Sequence, residues 1–280
     1  MIIGVIGSGT MGSGIAQSFA SNNFKVLLHD ISNDMLSKAF DTINKSLDRM
    51  INKEIITKEK ANSSLENITT STSTDIMNNC DLIIEAATEN IDIKKKIFKK
   101  LDYLSKPSCI LASNTSSISI NELADSTNRP SMVIGMHFMN PVPIMKLVEI
   151  IKTTKTSKET LETVVNTAIK LGKKPVECID SPGFISNRIL MPMINEAIYS
   201  LMEGVATKEA IDEIMMLGMS HPMGPLTLAD LIGLDVCLSI LNVLKEGFNN
   251  DPKYEPCPLL IDMCKNGKLG RKTGEGFYKY

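Results

Sequence analysis

The segment Gly7-Ser8-Gly9-Thr10-Met11-Gly12 constrains this chain more than any other. It follows an apolar, β-branched run at residues 2–6 and opens a helical stretch over 11–20. In a strand–turn–helix of this kind, Gly7 permits the tight turn and Gly9 lets the backbone approach a pyrophosphate. Gly12 lets helix and strand pack closely, with Thr10 and Met11 inside the same turn. The helix N-terminus then presents unpaired N–H groups and the positive end of its dipole to phosphate oxygens. Asp30 closes the second strand about 20 residues past the glycines, where a carboxylate accepts from ribose hydroxyls. The same carboxylate would repel a 2′-phosphate, so the expectation is NAD, with NADP less favoured.

The glycine turn begins an alternating pattern. Short, nearly continuous apolar runs recur at 2–6, 25–29, 81–85, 108–112 and 132–136, as strands buried on both faces require. Amphipathic stretches at 33–50 and 91–104 are long enough for crossover helices. The pattern predicts an α/β domain with a mostly parallel, doubly wound sheet. Beyond about Ser181 the signal becomes helical, with helices read over 182–203, 208–217 and 225–248. The expected division is a dinucleotide domain over 1–182 and an all-α domain over 183–280. A length of 280 residues suits two domains, and 43% hydrophobic residues suffice for cores without metal or disulfide staples.

Charge and cysteine usage narrow the class. Thirty basic against 32 acidic side chains leave a formal charge of −2, without the footprint of a general nucleic-acid binder. The six cysteines are scattered, with no zinc-type spacing, and are expected to be reduced thiols. No basic stretch precedes the first strand, so no cleavable leader is expected. No apolar run approaches the roughly 18 residues of a membrane span. The expectation is a cytoplasmic protein with neither membrane nor nucleic acid as partner.

A dinucleotide turn does not specify a reaction, which four further segments must supply. Ala112-Ser113-Asn114-Thr115-Ser116-Ser117 lies at a strand's carboxyl end, where open α/β sheets bind ligands. A second strand runs into His137 and a turn with Pro141 and Pro143. After that turn, strand-like Lys146-Leu147-Val148-Glu149-Ile150-Ile151 could return Glu149 beside His137. Asp180-Ser181-Pro182-Gly183-Phe184 opens the helical half, with Asn187 and Arg188 just beyond. Plainer roles stand beside these. His137 could be a core histidine, Ser116 the N-cap of the next helix, and Asn187 a polar helix-face residue. His29 and His221 read as structural, and Lys94-Lys95-Lys96 as a mostly solvated face.

Taken in order, these segments resemble the short-chain L-3-hydroxyacyl-CoA dehydrogenase family, most of all its bacterial 3-hydroxybutyryl-CoA members. The resemblance continues through Pro222-Met223-Gly224-Pro225 to Gly270-Arg271-Lys272-Thr273-Gly274-Glu275-Gly276-Phe277-Tyr278. It implies a Rossmann-type domain followed by a helical dimerisation domain, and hence a homodimer. The family's catalytic His–Glu pair falls on His137 and Glu149, its active-site serine on Ser116 and its asparagine on Asn187. Cofactor contacts fall on Asp30, Glu89, Lys94, Asn114, Ser116, Asn140 and Lys272 besides the glycine turn. Acyl-CoA contacts fall on Ser46 and Lys53, with Ser116 and Asn187 also facing substrate. No residue is implied as a metal ligand. The implied activity interconverts a short (S)-3-hydroxyacyl-CoA and its 3-oxoacyl-CoA with NAD(H), in butyrate or fatty-acid metabolism. Alternatives on the same frame are a non-catalytic dinucleotide-binding protein and a gulonate-type sugar-acid 3-dehydrogenase. The intact set of four catalytic residues argues against the first, and Lys53 near a CoA phosphate tilts away from the second. Closure of a cleft bearing Asn187 would complete the site and exclude water.

Overall fold

In a computed structural model that describes residues 1–280, the chain divides into two units, Met1–Asp180 and Ser181–Tyr280. The first unit is built on eight strands: β1 Ile2–Ile6, β2 Lys25–His29, β3 Ile68–Ser71, β4 Leu82–Glu85, β5 Ile110–Ser113, β6 Val133–Phe138, β7 Leu147–Lys152 and β8 Lys174–Ile179. They form one sheet in the order β3-β2-β1-β4-β5-β6-β7-β8. Pairing is parallel from β3 through β6, antiparallel between β6 and β7, and parallel again between β7 and β8. The order reverses between β1 and β4, the switch point where doubly wound sheets open a ligand crevice. This is the α/β, mostly parallel sheet expected from the alternating pattern.

Helices α1 Thr10–Ala20, α2 Asn33–Asn52, α3 Lys58–Glu66, α4 Ile91–Leu104, α5 Ile120–Asp125 and α6 Lys158–Lys170 cover the sheet. Ile3, Val5, Leu28, Ile84 and Ile134 are fully buried and share a core with Ile15, Phe19 and Ile43 from the helices. Asparagine and serine set several helix starts: Ser32 caps α2, Asn90 caps α4 and Ser119 caps α5, each accepting from an N–H in the first turn.

The second unit comprises α7 Ser186–Met202, α8 Lys208–Met219, α9 Pro225–Ile232, α10 Leu234–Gly247 and α11 Pro258–Lys265. Its own core contains Ile194, Ile198, Leu226, Leu241 and Leu260. The single helix read over 225–248 is two, bent by 96° where Gly233 takes a φ of +105°. Gly183-Phe184 forms a separate left-handed turn, so the helix read from 182 begins only at Ser186. No single helix is long and apolar enough to cross a membrane. Two buried aspartates tie down the end of the chain. Asp230 accepts from the Phe277 and Tyr278 N–H groups, and Asp212 from the Tyr278 hydroxyl.

Candidate active site

Strand register gathers the first unit's candidates at one edge of the sheet. His29, Ile6, Glu85, Ser113 and Gly135 pair successively from β2 through β1, β4 and β5 to β6. The loops that follow these strand ends carry Gly7–Gly12, Asp30, Glu89, Asn114 and Ser116, while His137 lies two residues past Gly135 on β6.

The glycine turn meets the geometric demands of a pyrophosphate cradle. Gly7 has φ +93°, and a Cβ on Gly12 would collide with the Gly7 carbonyl oxygen. At Gly9, a Cβ would enter open space, so the backbone there is approachable. Helix α1 starts at Thr10 with no side chain capping it and no acid in its first turn, which leaves its N-terminus suited to phosphate. The Asp30 carboxylate is held by Ser8: Oδ2 accepts from the Ser8 N–H and Oγ–H, both at 2.8 Å. These residues fit a nicotinamide dinucleotide: the glycine turn would hold its phosphates and the Asp30 carboxylate would accept from its adenosine ribose.

Glu89 organises the loop after β5. Its Oε1 accepts from the Ser116 N–H at 3.1 Å, the Ser117 hydroxyl at 3.0 Å and the Thr115 hydroxyl. Burial alone would raise its pKa; Lys94, 3.3 Å away, and these donors outweigh that and hold it below the ordinary glutamate value. Lys94 is not on a solvated face: it is 1% exposed and sits 2.7 Å from the fully buried Glu85. Its place on α4 with Phe98 and Leu101 is the i, i+4, i+7 stripe of the core-facing side. Ser116 does not cap the following helix; Ser119 does. Asn114 is 8% exposed, and its Oδ1 accepts from the Phe138 N–H at 2.9 Å, tying the end of β5 to β6 beside His137.

His137 and Glu149 are directly opposite one another in the antiparallel β6–β7 pair. Opposite residues share a face, so the register brings the side chains together. His137 Nδ1 lies 2.8 Å from Glu149 Oε2, and the residues are 7% and 4% exposed. Asn140 follows β6 on an exposed turn. Ser46 is half-buried on α2, and Lys53 is exposed at its C-terminus. Asn187 and Lys272 belong to the second unit. Asn187 is 8% exposed in the first turn of α7, and Lys272 pairs with Asp235 at 2.5 Å. His29 is buried, which lowers its pKa, and its Nε2 meets the Thr74 hydroxyl at 3.3 Å. His221 stands just past α8.

Comparison with known proteins identifies what carries this geometry. Residues 2–181 match the 3-hydroxyacyl-CoA dehydrogenase NAD binding domain, and residues 183–280 match the C-terminal domain of the same enzymes. The chain belongs to the 3-hydroxyacyl-CoA dehydrogenase family. It is 55% identical over 280 residues to the probable 3-hydroxybutyryl-CoA dehydrogenase of Deinococcus radiodurans, covering 100% of both chains. It is 51% identical to the 3-hydroxybutyryl-CoA dehydrogenase of Clostridioides difficile, covering 100% of this chain and 99% of that one. The crystal structure of (S)-3-hydroxybutyryl-CoA dehydrogenase from Ralstonia eutropha has a TM-score of 0.96 at 50% identity, covering 100% of this chain and 98% of the other. The resemblance drawn from the motifs therefore holds, and the cofactor is a nicotinamide dinucleotide.

In this family member, four residues carry structure around the site that the motifs did not single out: Ser8, Glu85, Ser113 and Lys173. Lys173 is buried without a carboxylate partner, donates to the Val142 and Met145 carbonyls at 2.5 and 2.8 Å, and has its pKa lowered by burial. It holds the turn between His137 and Glu149. Glu85 had a readable signal, a lone acid ending an otherwise apolar strand. Ser8 and Lys173 had none.

Proposed function

We propose that the protein interconverts (S)-3-hydroxybutyryl-CoA and acetoacetyl-CoA, with NAD(H) as the redox partner. The observation that carries this reading is the buried His137–Glu149 pair at 2.8 Å, set one strand from the Ser116 loop. The names of relatives at 51–55% identity over the full chain support the choice of substrate. When bound, the dinucleotide accepts or returns the hydride at C3 of the acyl chain.

The chain's own residues manage the proton and the oxygen. With Nδ1 engaged by Glu149, His137 uses Nε2 to take the substrate hydroxyl proton during oxidation and to return it during reduction. Glu149 fixes the ring and stabilises the imidazolium. Ser116 and Asn187 are assigned as neutral donors to substrate oxygens, which stabilise developing negative charge without competing for the proton. Ser46 and Lys53 are assigned to the CoA moiety, with Lys53 a cation for its phosphates. Glu89, Lys94, Asn114, Asn140 and Lys272 are assigned to the cofactor. The same reading assigns a cytoplasmic homodimer.

Steady-state reduction of acetoacetyl-CoA, followed by nicotinamide absorbance, tests the activity; absence of turnover with both NADH and NADPH overturns it. Asp30 assigns NAD rather than NADP, since a 2′-phosphate beside this carboxylate is repelled. NADH should therefore give the higher kcat/KM. Asp30→Ala should narrow the preference mainly through KM, because those contacts are alike in ground and transition states. A kcat/KM for NADPH at or above that for NADH removes the assignment.

A further inference from the structure

Glu85 has no assigned part in the chemistry, yet it is fully buried at the end of β4, in the row of strand ends that borders the site. Its carboxylate reaches three elements. Oε1 accepts from the Ala87 N–H and from Lys94 Nζ, each at 2.7 Å, and Oε2 accepts from Ser113 Oγ at 2.6 Å. Ser113 is its register partner on β5 and is itself fully buried. Lys94 donates onward to the Ala87 carbonyl at 3.3 Å and lies 3.3 Å from Glu89. Glu89 in turn holds the Ser116 N–H and the Ser117 hydroxyl.

The loop so braced also abuts the glycine turn. A Cβ on Gly7 would meet the Ala86 carbonyl and the Ala87 nitrogen within 3.0 Å. Three loops therefore share one anchor: the glycine turn after β1, the 86–90 loop after β4 and the 113–117 loop after β5. Hydrophobic packing could join these strands more cheaply, because a buried ion pair costs about as much in desolvation as it returns. What a charged, fully hydrogen-bonded cluster adds is fixed orientation.

We infer that Glu85, acting through Lys94 and Ser113, is a positioning residue that holds the dinucleotide turn and the Ser116 loop in one frame. The inference rests on the reading of Ser116 as a substrate-facing residue. Loss of the anchor should displace both the cofactor and the reacting oxygen, and displacements of about 1 Å cost up to roughly a hundredfold in rate.

Two variants of the full-length protein separate this from a purely structural role. Glu85→Gln keeps the shape but removes the charge that faces Lys94. It should raise the NADH Kd, measured by fluorescence titration without substrate, and lower kcat for acetoacetyl-CoA reduction, each about tenfold. Ser113→Ala cuts the tie to β5, together with the bond that Ser113 Oγ accepts from the Thr115 N–H at 3.2 Å in the same loop, and leaves the Glu85–Lys94 pair in place. It should lower kcat severalfold while leaving the NADH Kd within about twofold of wild type. A folded Glu85→Gln with a reduced Tm but unchanged Kd and kcat overturns the inference. If Glu85→Gln does not fold, Ser113→Ala decides, and an unchanged kcat there overturns it. Should the wild type fail to reduce acetoacetyl-CoA, the substrate reading falls, while the NADH Kd of Glu85→Gln still tests the anchor.

Discussion

His137 and Glu149 meet because β6 and β7 are antiparallel and in register; a slip of one residue would put the two side chains on opposite faces. If they act as one acid–base unit, His137→Gln should lower kcat by roughly 10²–10⁴-fold with little change in NADH affinity. Glu149→Gln should also lower kcat strongly, because the ring loses its orienting charge. The double variant should lose far less than the product of the two single losses. Multiplicative losses in a kinetic cycle would separate the residues, and near-wild-type turnover of His137→Gln would leave the histidine a core residue. Glu89 supplies a pH effect. Its carboxylate is held below the ordinary value of 4.5, since Lys94 and the Thr115, Ser116 and Ser117 donors outweigh the upward push of burial. A carboxylate depressed on folding contributes stability above its unfolded pKa and loses it as pH falls through the folded one. Thermal melts should therefore show wild type above Glu89→Gln at neutral pH, with the gap shrinking below about pH 4.5. A gap independent of pH would contradict the linkage.

At the scale of elements, the legible parts are those whose burial writes a simple pattern. Strands β1 and β2 and helix α4 stand where residues 2–6, 25–29 and 91–104 were read, because both faces of a central strand and one stripe of a crossover helix must be apolar. The edges were not legible. Strand β3 has only Ile68 buried in a Thr-Thr-Ser run, and β8 is a largely exposed edge strand that contains Pro175. Proline is tolerated at such an edge but erases the strand signal. The division of 225–248 into α9 and α10 depended on Gly233, and nothing in the apolar periodicity marks that bend. The same holds for the site. The glycine turn, Asp30 and the histidine strand were readable as local motifs, whereas the Glu85 anchor exists only through pairing of strands distant in sequence. The strand–helix turn offers the element-scale test. A Cβ at position 12 strikes the Gly7 carbonyl, so Gly12→Ala should destabilise the protein by about 1–3 kcal/mol, as overpacking does, and should weaken NADH binding. A Tm equal to wild type would mean that the turn opens without cost.

At the scale of the whole molecule, the two units each bury a core of their own, but the helical unit leaves much apolar surface uncovered. Ile189 on α7 is 66% exposed, Val205 after it 72%, and Leu217 and Met219 on α8 82% and 61%. Single exposed apolar residues are ordinary on a monomer, and several on neighbouring helices of one small unit are compatible with the proposed contact with a second copy. A formal charge of −2 gives little long-range repulsion between copies. A second copy of the chain is the proposed partner, in a twofold arrangement in which each copy covers the same apolar surface of the other. Sedimentation equilibrium should then give twice the 30.7 kDa chain mass at micromolar concentration. Replacing Leu217 and Ile189 together with aspartate should shift the equilibrium to monomer, because burying either unpaired charge would cost more than the contact returns. The helical content should stay the same, since both side chains project from their unit rather than into its core. A wild type that sediments as a monomer would reject the dimer, and a doubly substituted variant that remains dimeric would place its interface elsewhere.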